Sequence, residues 1–506
     1  MSRLKHQRRY AGCHDASMAL GVPDSTLAPR LREALTAAGY TVDAVGDLLG
    51  ETARAALDRH ETTPALRRTT GGSPLATLVR LFILQTSVPR TDADSALAGL
   101  VDPLTHAGML VASTGEVRAV LDCRPYADDE HAWWVVSDLT PGLDGQPIRV
   151  DADHVLGVTP ASTSLAQLTT RRPVARALDL GTGCGVQSLH LSTHAGQVVA
   201  TDVNARALAV TAFNAALNEV EIDLRDGSLW DPVADETFDL VTTNPPFVIS
   251  PATDAPLTYR DSGLPGDQVV EAVVRGAPAR LADGGWCHLV ANWAIHRDVA
   301  WDERLAGWLP DDCDALVVQR DVLDPPSYVE LWLKDAGRHG GPGYLAAYDG
   351  WLRWFEEQHI EGVGFGWVNL RKGADDQHRS RELLEHPYAV EQPVAPAVEQ
   401  WAVDHATSVG PDSRLALRVD VVQETHGDPG AEDPETIVLR QRRGLCRARQ
   451  VDTVEAALAG ACDGDLTVGQ ILDALATLLA RDTDALATAY LPAVRRLVDE
   501  GFLRPV

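Results

Sequence analysis

The sequence is short of paired cysteines, of lysine and of long apolar runs. Its seven cysteines include no Cys-x-x-Cys pair, which argues against a zinc ribbon or a disulfide framework and favours a reducing cytoplasm. No apolar run reaches the roughly 18 residues that a membrane-spanning helix needs, so no membrane span is expected. The basic residues 1–10 are not followed by an apolar segment, so they are not interpreted as a secretory signal. We therefore predict a cytoplasmic protein without a metal site.

Positive charge is also scarce, and only three of the 44 basic residues are lysines. The formal net charge of −28 at pH 7 disfavours tight, non-specific wrapping of nucleic acid. The exception is residues 440–449, the arginine stretch, where five arginines stand close together. Two interpretations stay open for the arginine stretch: a solvated rim of a β-hairpin, or a site that binds phosphate or acidic groups.

The chain is too long for one typical domain, and 45% hydrophobic residues are enough for several cores. After a flexible tail at residues 1–20, residues 21–150 show helical spacing followed by two β-like runs, 116–122 and 131–138, which we expect to pair. This order predicts a winged-helix-like accessory domain. Residues 151–335 then alternate strands with helices, which predicts an α/β, Rossmann-like domain whose mostly parallel sheet is covered on both faces.

Two further segments follow the α/β domain. Residues 336–450 are predicted as a β-rich extension that contains the arginine stretch, and residues 451–506 as a helical, winged-helix-like segment. The extension begins with an aromatic-rich helix at 343–358, whose rings are interpreted as core packing rather than as a base-stacking platform. At the end of the α/β domain, residues 315–319 and 328–333 are predicted as an antiparallel edge pair joined by a Pro-Pro turn.

A glycine-rich turn follows the first predicted strand of the α/β domain, residues 177–180. Its sequence is Gly181-Thr182-Gly183-Cys184-Gly185, and a predicted helix comes directly after it. The glycines permit positive φ and let the backbone approach a bound nucleoside closely. Cys184 is interpreted as a small packing residue rather than a nucleophile. The turn alone does not distinguish a dinucleotide site from the site of another nucleoside cofactor.

Acidic residues follow the second and third predicted strands. Asp202, with Val203 beside it, ends the second strand, where a carboxylate can accept hydrogen bonds from both hydroxyls of a ribose. Asp226-Gly227-Ser228 ends the third strand, at residues 219–224, where a carboxylate or backbone amides could meet the edge of an adenine. These residues support an adenosine group but leave the cofactor open, because dinucleotide sites also place an acid after the second strand.

The fourth predicted strand, residues 238–243, ends in Asn244-Pro245-Pro246-Phe247. The two prolines fix φ and bias the preceding residues towards extended conformations, so the turn is rigid before a substrate arrives. One amide side chain, one constrained carbonyl and one aromatic ring at the end of a strand suit the binding of a planar NH2 group. A dehydrogenase has no need of this set at its fourth strand.

Together, Asp179, the loop Gly181–Gly185, Asp202, Asp226 and the segment Asn244–Phe247 resemble, in order and spacing, a known family. The family is the class I S-adenosylmethionine (SAM)-dependent methyltransferases of the small-domain group. It includes the N5-glutamine methyltransferases of release factors and the ribosomal RNA guanine-N2 and adenine-N6 enzymes. The resemblance covers residues from about 176 to 333.

The resemblance implies a role for each of these residues. The glycine loop and Asp179 would hold the methionine part of SAM, Asp202 the ribose and Asp226 the adenine. Val203, Gly227, Ser228 and Asn244 complete the predicted set of cofactor-binding residues. The Asn244 side-chain oxygen and the Pro245 carbonyl would accept hydrogen bonds from the substrate NH2, and Phe247 would stack on its plane. Acceptors off that plane would stabilise the charge that develops as the nitrogen attacks the methyl group.

The predicted function is SAM-dependent N-methylation of a planar NH2 group of a macromolecule. Phe247 favours a base of RNA, such as ribosomal RNA, because the glutamine-directed enzymes more often carry tyrosine there. The net charge of −28 favours a protein glutamine. Tyr259-Arg260-Asp261 would either line the acceptor pocket or form a plain loop, and His288 is interpreted as a core histidine.

An alternative from another class is a SAM-binding regulatory or scaffold protein whose winged-helix ends make the functional contacts. A scaffold has no need of a rigid site for an NH2 group. The intact Asn244 and Phe247 therefore argue against this alternative.

Overall fold

A computed structural model describes residues 24–146, 151, 153–251, 264–373, 379–428 and 434–506. The predicted tail, residues 1–20, and the segment Tyr259–Asp261 lie outside these ranges. The chain divides into two compact units. Unit 1 comprises Met1–Thr159, Thr182–Leu189 and Asp202–Asp226, and unit 2 comprises Pro160–Gly181, His190–Thr201 and Gly227–Val506.

The described residues form helices and strands that are numbered here in chain order. The helices are α1 (Ala28–Ala37), α2 (Val42–Leu57), α3 (Thr63–Arg68), α4 (Pro74–Leu78), α5 (Arg90–Ala96), α6 (Val101–His106), α7 (Pro160–Leu168), α8 (Val186–Ser192), α9 (Ala205–Leu217), α10 (Gln268–Gly276), α11 (Trp301–Ala306), α12 (Pro325–Asp335), α13 (Tyr344–Glu357), α14 (Ala395–Ala406), α15 (Thr453–Ala461), α16 (Val468–Leu478) and α17 (Thr483–Asp499). The strands are β1 (Val88–Pro89), β2 (Leu110–Ser113), β3 (Glu116–Ala119), β4 (Leu121–Ala127), β5 (Ala132–Asp138), β6 (Val174–Leu180), β7 (Ala195–Asp202), β8 (Asp223–Asp226), β9 (Phe238–Thr243), β10 (Leu281–His296), β11 (Cys313–Leu323), β12 (Ile360–Lys372), β13 (Arg381–Glu385), β14 (Arg414–Leu417), β15 (Val421–His426), β16 (Thr436–Gln441), β17 (Ala448–Val451), β18 (Asp463–Thr467) and β19 (Leu503–Pro505).

Unit 1 begins with helices α1 to α6 and a small antiparallel sheet of order β1-β3-β2. Its core contains fully buried Leu35, Tyr40 and Phe82. The predicted pairing of residues 116–122 with 131–138 was correct only at one end. The predicted strand 116–122 is divided at Val120. Its first part, β3, pairs with β2 across the turn at Gly115 (φ 86°), and only its last residues, which belong to β4, pair with β5.

Helix α9, also in unit 1, runs along the outer side of β5. The Asn204 side chain caps the start of α9 by accepting a hydrogen bond of 2.9 Å from the Arg206 N–H. Three side chains near or on α9 bind alternate residues of β5: Asn218 binds Trp134, Asn214 binds Val136, and Arg206 forms a bidentate ion pair with Asp138. Strand β5, called the accessory strand below, and helix α9 are therefore joined by polar contacts.

Seven strands of unit 2 form a mixed sheet in the order β13-β11-β12-β10-β9-β6-β7. Neighbours are parallel except at β12, which is antiparallel to both β10 and β11. Residues 177–180 of β6 and all of β9 except Asp239 are buried, as expected of parallel strands covered on both faces. The predicted Rossmann-like core of mostly parallel strands is confirmed. The order reverses at β6, with β7 on one side and β9 on the other.

Residues 328–333 are helical, so the predicted antiparallel edge pair with 315–319 was wrong. They belong to α12, which begins after Asp324; the Asp324 carboxylate accepts a hydrogen bond of 2.8 Å from the Ser327 N–H. Proline at the first helical position suits this start, because its missing N–H would have no helical partner there. The antiparallel partner of β11 is instead β12, with Val317 opposite Val368.

Two other predicted strands were misplaced for local reasons. The third strand of the α/β domain does not begin at Glu219, which has a positive φ of 59°, and β8 begins only at Asp223. The predicted strand 415–421 is divided into β14 and β15. The chain turns between them, and there the Arg418 guanidinium donates two hydrogen bonds of 2.9 Å to the Asp420 carboxylate.

Aromatic side chains of α12 and α13 form a second core in unit 2. Trp351 and Phe355 on α13 pack with Tyr328 on α12, and all three are almost fully buried. The prediction that the aromatic stripe is core packing is thereby confirmed. The C-terminal part contains two small sheets, of order β18-β14-β19 and β15-β16-β17, and a core that includes Leu472, Val494 and Phe502.

Candidate active site

Three strands of unit 2 end side by side. On β6, Leu180 lies level with Thr201 of β7 on one side and Thr243 of β9 on the other. The Gly181 N–H donates a 2.9 Å hydrogen bond to the Thr201 carbonyl, and the Thr243 hydroxyl donates one of 2.7 Å to the Leu180 carbonyl. In the sequence, the glycine loop, Asp202 and Asn244 follow directly after these three strand ends. The carboxyl ends of strands at such a reversal of order are the usual place for a ligand.

The three glycines of the loop are needed for two different reasons. All have positive φ, 77° for Gly181, 58° for Gly183 and 80° for Gly185. A Cβ on Gly185 would lie 2.8 Å from the Thr211 Cγ2, so this glycine permits the close approach of α9. At Gly181 and Gly183 no heavy atom lies within 4 Å of the position of a Cβ. These two glycines therefore border open space that a ligand can approach.

Helix α9 holds two carbonyls of the loop. The Thr211 hydroxyl donates a 3.0 Å hydrogen bond to the Gly183 carbonyl, and the Asn214 Nδ2 donates one of 2.8 Å to the Cys184 carbonyl. The Cys184 side chain is buried in a hydrophobic cluster with Leu189 and Val210. The loop conformation is therefore held by buried contacts on its α9 side.

Asp202 is bound to the loop through its side chain. Its Oδ2 accepts a 2.9 Å hydrogen bond from the Gly183 N–H, and its Oδ1 accepts one of 2.9 Å from the Asn204 N–H. Burial raises the pKa of the Asp202 carboxyl above its ordinary value, although these N–H groups and that of Val203 lower it, and the Asp226 charge raises it further. Val203, the next residue, is 67% exposed.

The remaining predicted cofactor residues differ in burial. Asp179 and Thr182 are buried, whereas Asp226 is exposed at the end of β8. Gly227 has a φ of 146°, and a Cβ there would lie 2.6 Å from the Pro232 Cγ, so the turn after β8 requires glycine without any ligand. The Ser228 carbonyl continues this turn by accepting a hydrogen bond from the Asp231 N–H.

Asn244 presents an unsatisfied acceptor at the end of β9. Its Oδ1 is buried and has no hydrogen-bond partner among the described residues. A buried carbonyl oxygen without a donor costs about 1–3 kcal/mol, so such atoms in native proteins usually serve a ligand or another function. Pro245 is buried, Pro246 is half-buried, and the half-buried Phe247 packs against two hydrophobic clusters. The chemistry of this segment fits a donor group such as NH2.

The backbone beyond Phe247 is fixed by residues that the sequence interpretation missed. Val248 and Ile249 are buried, and the Ile249 N–H donates a 2.9 Å hydrogen bond to the Tyr328 hydroxyl. Tyr328 was missed because its segment was interpreted as a strand. Thr211 and Asn214 were missed as well, although two asparagines four positions apart, Asn214 on the apolar helix α9 and Asn218 just after it, are an unusual signal.

The comparison with known families agrees with this arrangement. Residues 157–305 match the family model of the methyltransferase small domain. The predicted resemblance of the central region to small-domain methyltransferases is confirmed by this match. Two further family models, both described as domains of unknown function, match residues 37–120 and 397–505.

Three curated relatives are similar to part of this chain. The release factor glutamine methyltransferase of Xylella fastidiosa (strain Temecula1) is 35% identical over 131 residues, which cover 23% of this chain and 47% of the relative. That of Cereibacter sphaeroides is 33% identical over 178 residues, covering 32% and 63%. The ribosomal protein uL3 glutamine methyltransferase of Bradyrhizobium diazoefficiens is 34% identical over 149 residues, covering 27% and 47%. The chain spans about half the length of the curated relatives it matches.

Among solved structures, a T. thermophilus 16S rRNA N2 G1207 methyltransferase in complex with AdoMet and guanosine is 17% identical to the chain. The match covers 48% of this chain and 66% of the other, with a TM-score of 0.27.

Outside residues 157–305, four residues of the arginine stretch are bound to carboxylates. Arg447 is buried and makes two hydrogen bonds, of 2.6 and 2.9 Å, to the Glu382 carboxylate. The other three ion pairs are Arg440 with Glu424, Arg443 with Glu391, and Arg449 with Glu500. Most of the charge of the arginine stretch is therefore neutralised within the chain, so it does not form a free phosphate-binding patch.

His288 is a core histidine, as predicted. It is fully buried on β10, and its Nδ1 lies 2.8 Å from the Asn369 Oδ1. Burial lowers the pKa of His288 to about 4, so the ring is neutral at pH 7. Within the described ranges, no group of three or more His, Cys, Asp or Glu side chains is arranged to hold a metal ion. No described helix is both long and apolar enough to span a membrane.

Proposed function

We propose that the chain is a SAM-dependent N-methyltransferase that modifies the side-chain amide of a protein glutamine. The family match of residues 157–305 supports the methyl transfer. The observation that carries the proposal is the Asn244 Oδ1, a buried acceptor with no partner among the described residues. A regulatory or scaffold protein has no use for this atom, whereas an enzyme that orients an NH2 group needs it.

The residues after β6 and β7 fit SAM as the cofactor. The methionine part would lie beside Gly181 and Gly183, where no heavy atom stands within 4 Å of a Cβ position, with Asp179 and the rest of the loop contributing to its binding. The Asp202 oxygens can accept hydrogen bonds from the two ribose hydroxyls, and the exposed Val203 offers an apolar surface to the adenine. Asp226, Gly227 and Ser228 would meet the adenine edge. When bound, SAM supplies a sulfonium methyl group.

The residues after β9 orient the acceptor nitrogen. The Asn244 Oδ1 and the Pro245 carbonyl would accept hydrogen bonds from the NH2 group, while Phe247 stacks on the amide plane and Pro246 keeps the turn rigid. An amide nitrogen is a poor nucleophile, because its lone pair is delocalised into the carbonyl. Two acceptors off the amide plane favour a tetrahedral nitrogen and stabilise the positive charge that develops on it. No strong base is required, since the methylated amide nitrogen then loses its proton to water.

A protein glutamine is favoured over an RNA base by two observations. The named relatives are glutamine methyltransferases that act on release factors or on ribosomal protein uL3. The arginine stretch, which could have bound phosphate, is largely paired with carboxylates. Phe247 suits either acceptor, because stacking on a planar group needs only the ring.

We further propose that the flanking regions recognise a protein acceptor in the cytoplasm. The order of α4, β1, α5, α6 and the β2–β3 hairpin supports a winged-helix-like fold for residues 21–150. Helix α6, at the position of a recognition helix, has Asp102 and no lysine or arginine. Such a helix suits a protein surface better than a phosphate backbone. Residues 151–335 would be the catalytic domain, residues 336–450 an extension that adds β12 and β13 to its sheet, and residues 451–506 a second winged-helix-like segment.

Labelled SAM incubated with the protein and a cell lysate tests this proposal. The label is expected in protein, to resist ribonuclease, and to appear as N5-methylglutamine after proteolysis. Label that disappears with ribonuclease would instead make an RNA base the acceptor. Calorimetry on the purified chain separates the cofactor from the acceptor, because failure to bind SAM would overturn the methyltransferase function itself.

A further inference from the structure

Two asparagines on and just after α9 bind the outer edge of β5 in the same way. The Asn214 side chain accepts a 2.8 Å hydrogen bond from the Val136 N–H and donates one of 2.8 Å to the Val136 carbonyl. The Asn218 side chain does the same with Trp134, at 2.9 and 2.8 Å. Each amide thus binds the backbone N–H and carbonyl of one β5 residue, as a neighbouring strand would.

The second hydrogen bond of each Nδ2 differs. The Asn214 Nδ2 also donates to the Cys184 carbonyl, inside the glycine loop, at 2.8 Å. The Asn218 Nδ2 donates instead to the Asn214 carbonyl, within the helix, at 2.8 Å. The same amide group of Asn214 therefore binds both β5 and the loop after β6, whereas that of Asn218 binds β5 and the helix but makes no such bond to the loop.

The contact of Asn214 bears on the shape of the loop. Thr211 holds the Gly183 carbonyl and Asn214 holds the Cys184 carbonyl, so two successive peptide groups turn their oxygens towards α9. Because the peptide group is planar and trans, the N–H of Cys184 then points away from α9. The Gly185 N–H closes the loop on the Thr182 carbonyl at 2.9 Å. Without the two side chains, these peptide groups could rotate about the flexible glycines.

We propose that Asn214, with Thr211, is a positioning residue for SAM, and that it couples the accessory strand β5 to the cofactor loop. The inference rests on the proposed SAM binding. Asn214 does not touch the cofactor. It acts by fixing the Cys184–Gly185 peptide, next to the Gly183–Cys184 peptide that Thr211 holds. The N–H of Gly183, on the peptide before these two, binds Asp202.

The test compares Asn214→Ala with its matched control Asn218→Ala in the full-length protein. Both changes remove an amide that pairs with β5, so both are expected to lower the melting temperature, Asn214→Ala more because it is fully buried. SAM affinity is measured by calorimetry well below either melting temperature. We expect Asn214→Ala to weaken SAM binding about tenfold, in keeping with the loss of one positioning hydrogen bond, and Asn218→Ala to bind like the parent.

The outcomes separate the inference from the function on which it rests. A parent protein that does not bind SAM overturns both. A parent that binds SAM, together with unchanged affinity in Asn214→Ala or equal losses in both variants, overturns the coupling alone. If Asn214→Ala does not fold, Thr211→Val removes the bond to the Gly183 carbonyl without touching β5. Parent-like affinity in Thr211→Val would then contradict the inference, and a clear loss would support it.

Discussion

The Ile249 N–H and the Tyr328 hydroxyl are joined by a hydrogen bond of 2.9 Å. Ile249 lies two residues after Phe247, and Tyr328 is fully buried on α12, in the helical segment between β11 and β12. The Asn292 Nδ2 approaches the same hydroxyl at 3.4 Å. Burial raises the pKa of the Tyr328 hydroxyl, so it stays protonated at all physiological pH values. The backbone just after the proposed acceptor site is thus held by Tyr328 of α12.

Tyr328→Phe is expected to slow methyl transfer while leaving SAM affinity unchanged. The ring keeps its packing, but the buried Ile249 N–H loses its partner, at a cost of about 1–3 kcal/mol that a shift of the turn would relieve. A small displacement of the acceptor oxygens should lower the transfer rate about tenfold. Initial rates with labelled SAM and one lysate measure the effect.

Tyr348→Phe is the matched control for Tyr328→Phe. The Tyr348 hydroxyl lies on the surface of α13 and donates a 3.2 Å hydrogen bond to the Glu330 carboxylate. Its loss should leave the rate of transfer unchanged. Equal effects of the two variants would mean that Tyr328 has no special role in positioning the turn.

Asn244→Ala is expected to abolish transfer and to keep SAM binding. The change removes one of the two acceptors that stabilise charge on the attacking nitrogen, which should lower the rate at least about a hundredfold. Calorimetry measures SAM affinity, and labelled SAM measures the rate of methyl transfer. An equal loss of SAM affinity and of transfer would place the acceptor site elsewhere.

SAM affinity is expected to fall in acid because of Asp202. Only the ionised carboxylate accepts hydrogen bonds from both ribose hydroxyls, and burial raises the pKa of this carboxyl above the ordinary value of 3.8. The loss should therefore begin at a higher pH than an exposed aspartate would give, as pH falls through the raised pKa. Asp202→Ala should bind SAM at least about tenfold more weakly at pH 7, with little further change in acid. Calorimetry across pH 4.5 to pH 8 checks this; identical pH profiles of the two proteins would contradict it.

Asp404→Asn is expected to stabilise the folded chain at neutral pH. Asp404 is buried on α14, and burial raises the pKa of its carboxyl from 3.8 to about 6, against the lowering effects of Gln400, Arg418 and Arg447. The folded state therefore keeps a proton that the unfolded chain has lost, and this contribution to stability disappears as pH rises through about 6. Asparagine mimics the protonated form at every pH. Above pH 6 the variant should gain on the order of 1–3 kcal/mol, and below pH 4 nothing.

Differential scanning calorimetry of the variant and the parent at pH 4 and pH 7.5 tests the Asp404 prediction. The difference in melting temperature between variant and parent should be present at the higher pH and vanish at the lower one. A variant that is less stable than the parent at pH 7.5 would show that the charged form of Asp404 is the stabilising one.

The central fold could be predicted from sequence because local signals coincide there. Runs such as Phe238–Thr243 end in residues with special backbone needs, and Asp202 and Asn244 stand at the ends of β7 and β9. The segment after Asp324 shows the opposite case. Tyr328–Leu333 is rich in residues that favour strands, but the cap at Asp324 and the proline after it start a helix.

The insertion of β12 between β10 and β11 could not be predicted from any local pattern. It depends on pairing between residues far apart in sequence, such as Trp286 with Arg371. The roles of Asn214 and Tyr328 are of the same kind, since each depends on a partner 78 or 79 positions away. Sequence periodicity can place such residues on a helix but cannot identify their hydrogen-bond partners.

The asparagine pair beside β5 has a consequence for association between molecules. A strand at the edge of a two-stranded hairpin normally exposes unpaired amides and carbonyls, which other chains can extend by β-pairing. Asn214 and Asn218 satisfy those groups at Val136 and Trp134 from the side of a helix. The same two side chains that join β5 to α9 therefore also shield this edge of the hairpin from pairing with a strand of another chain.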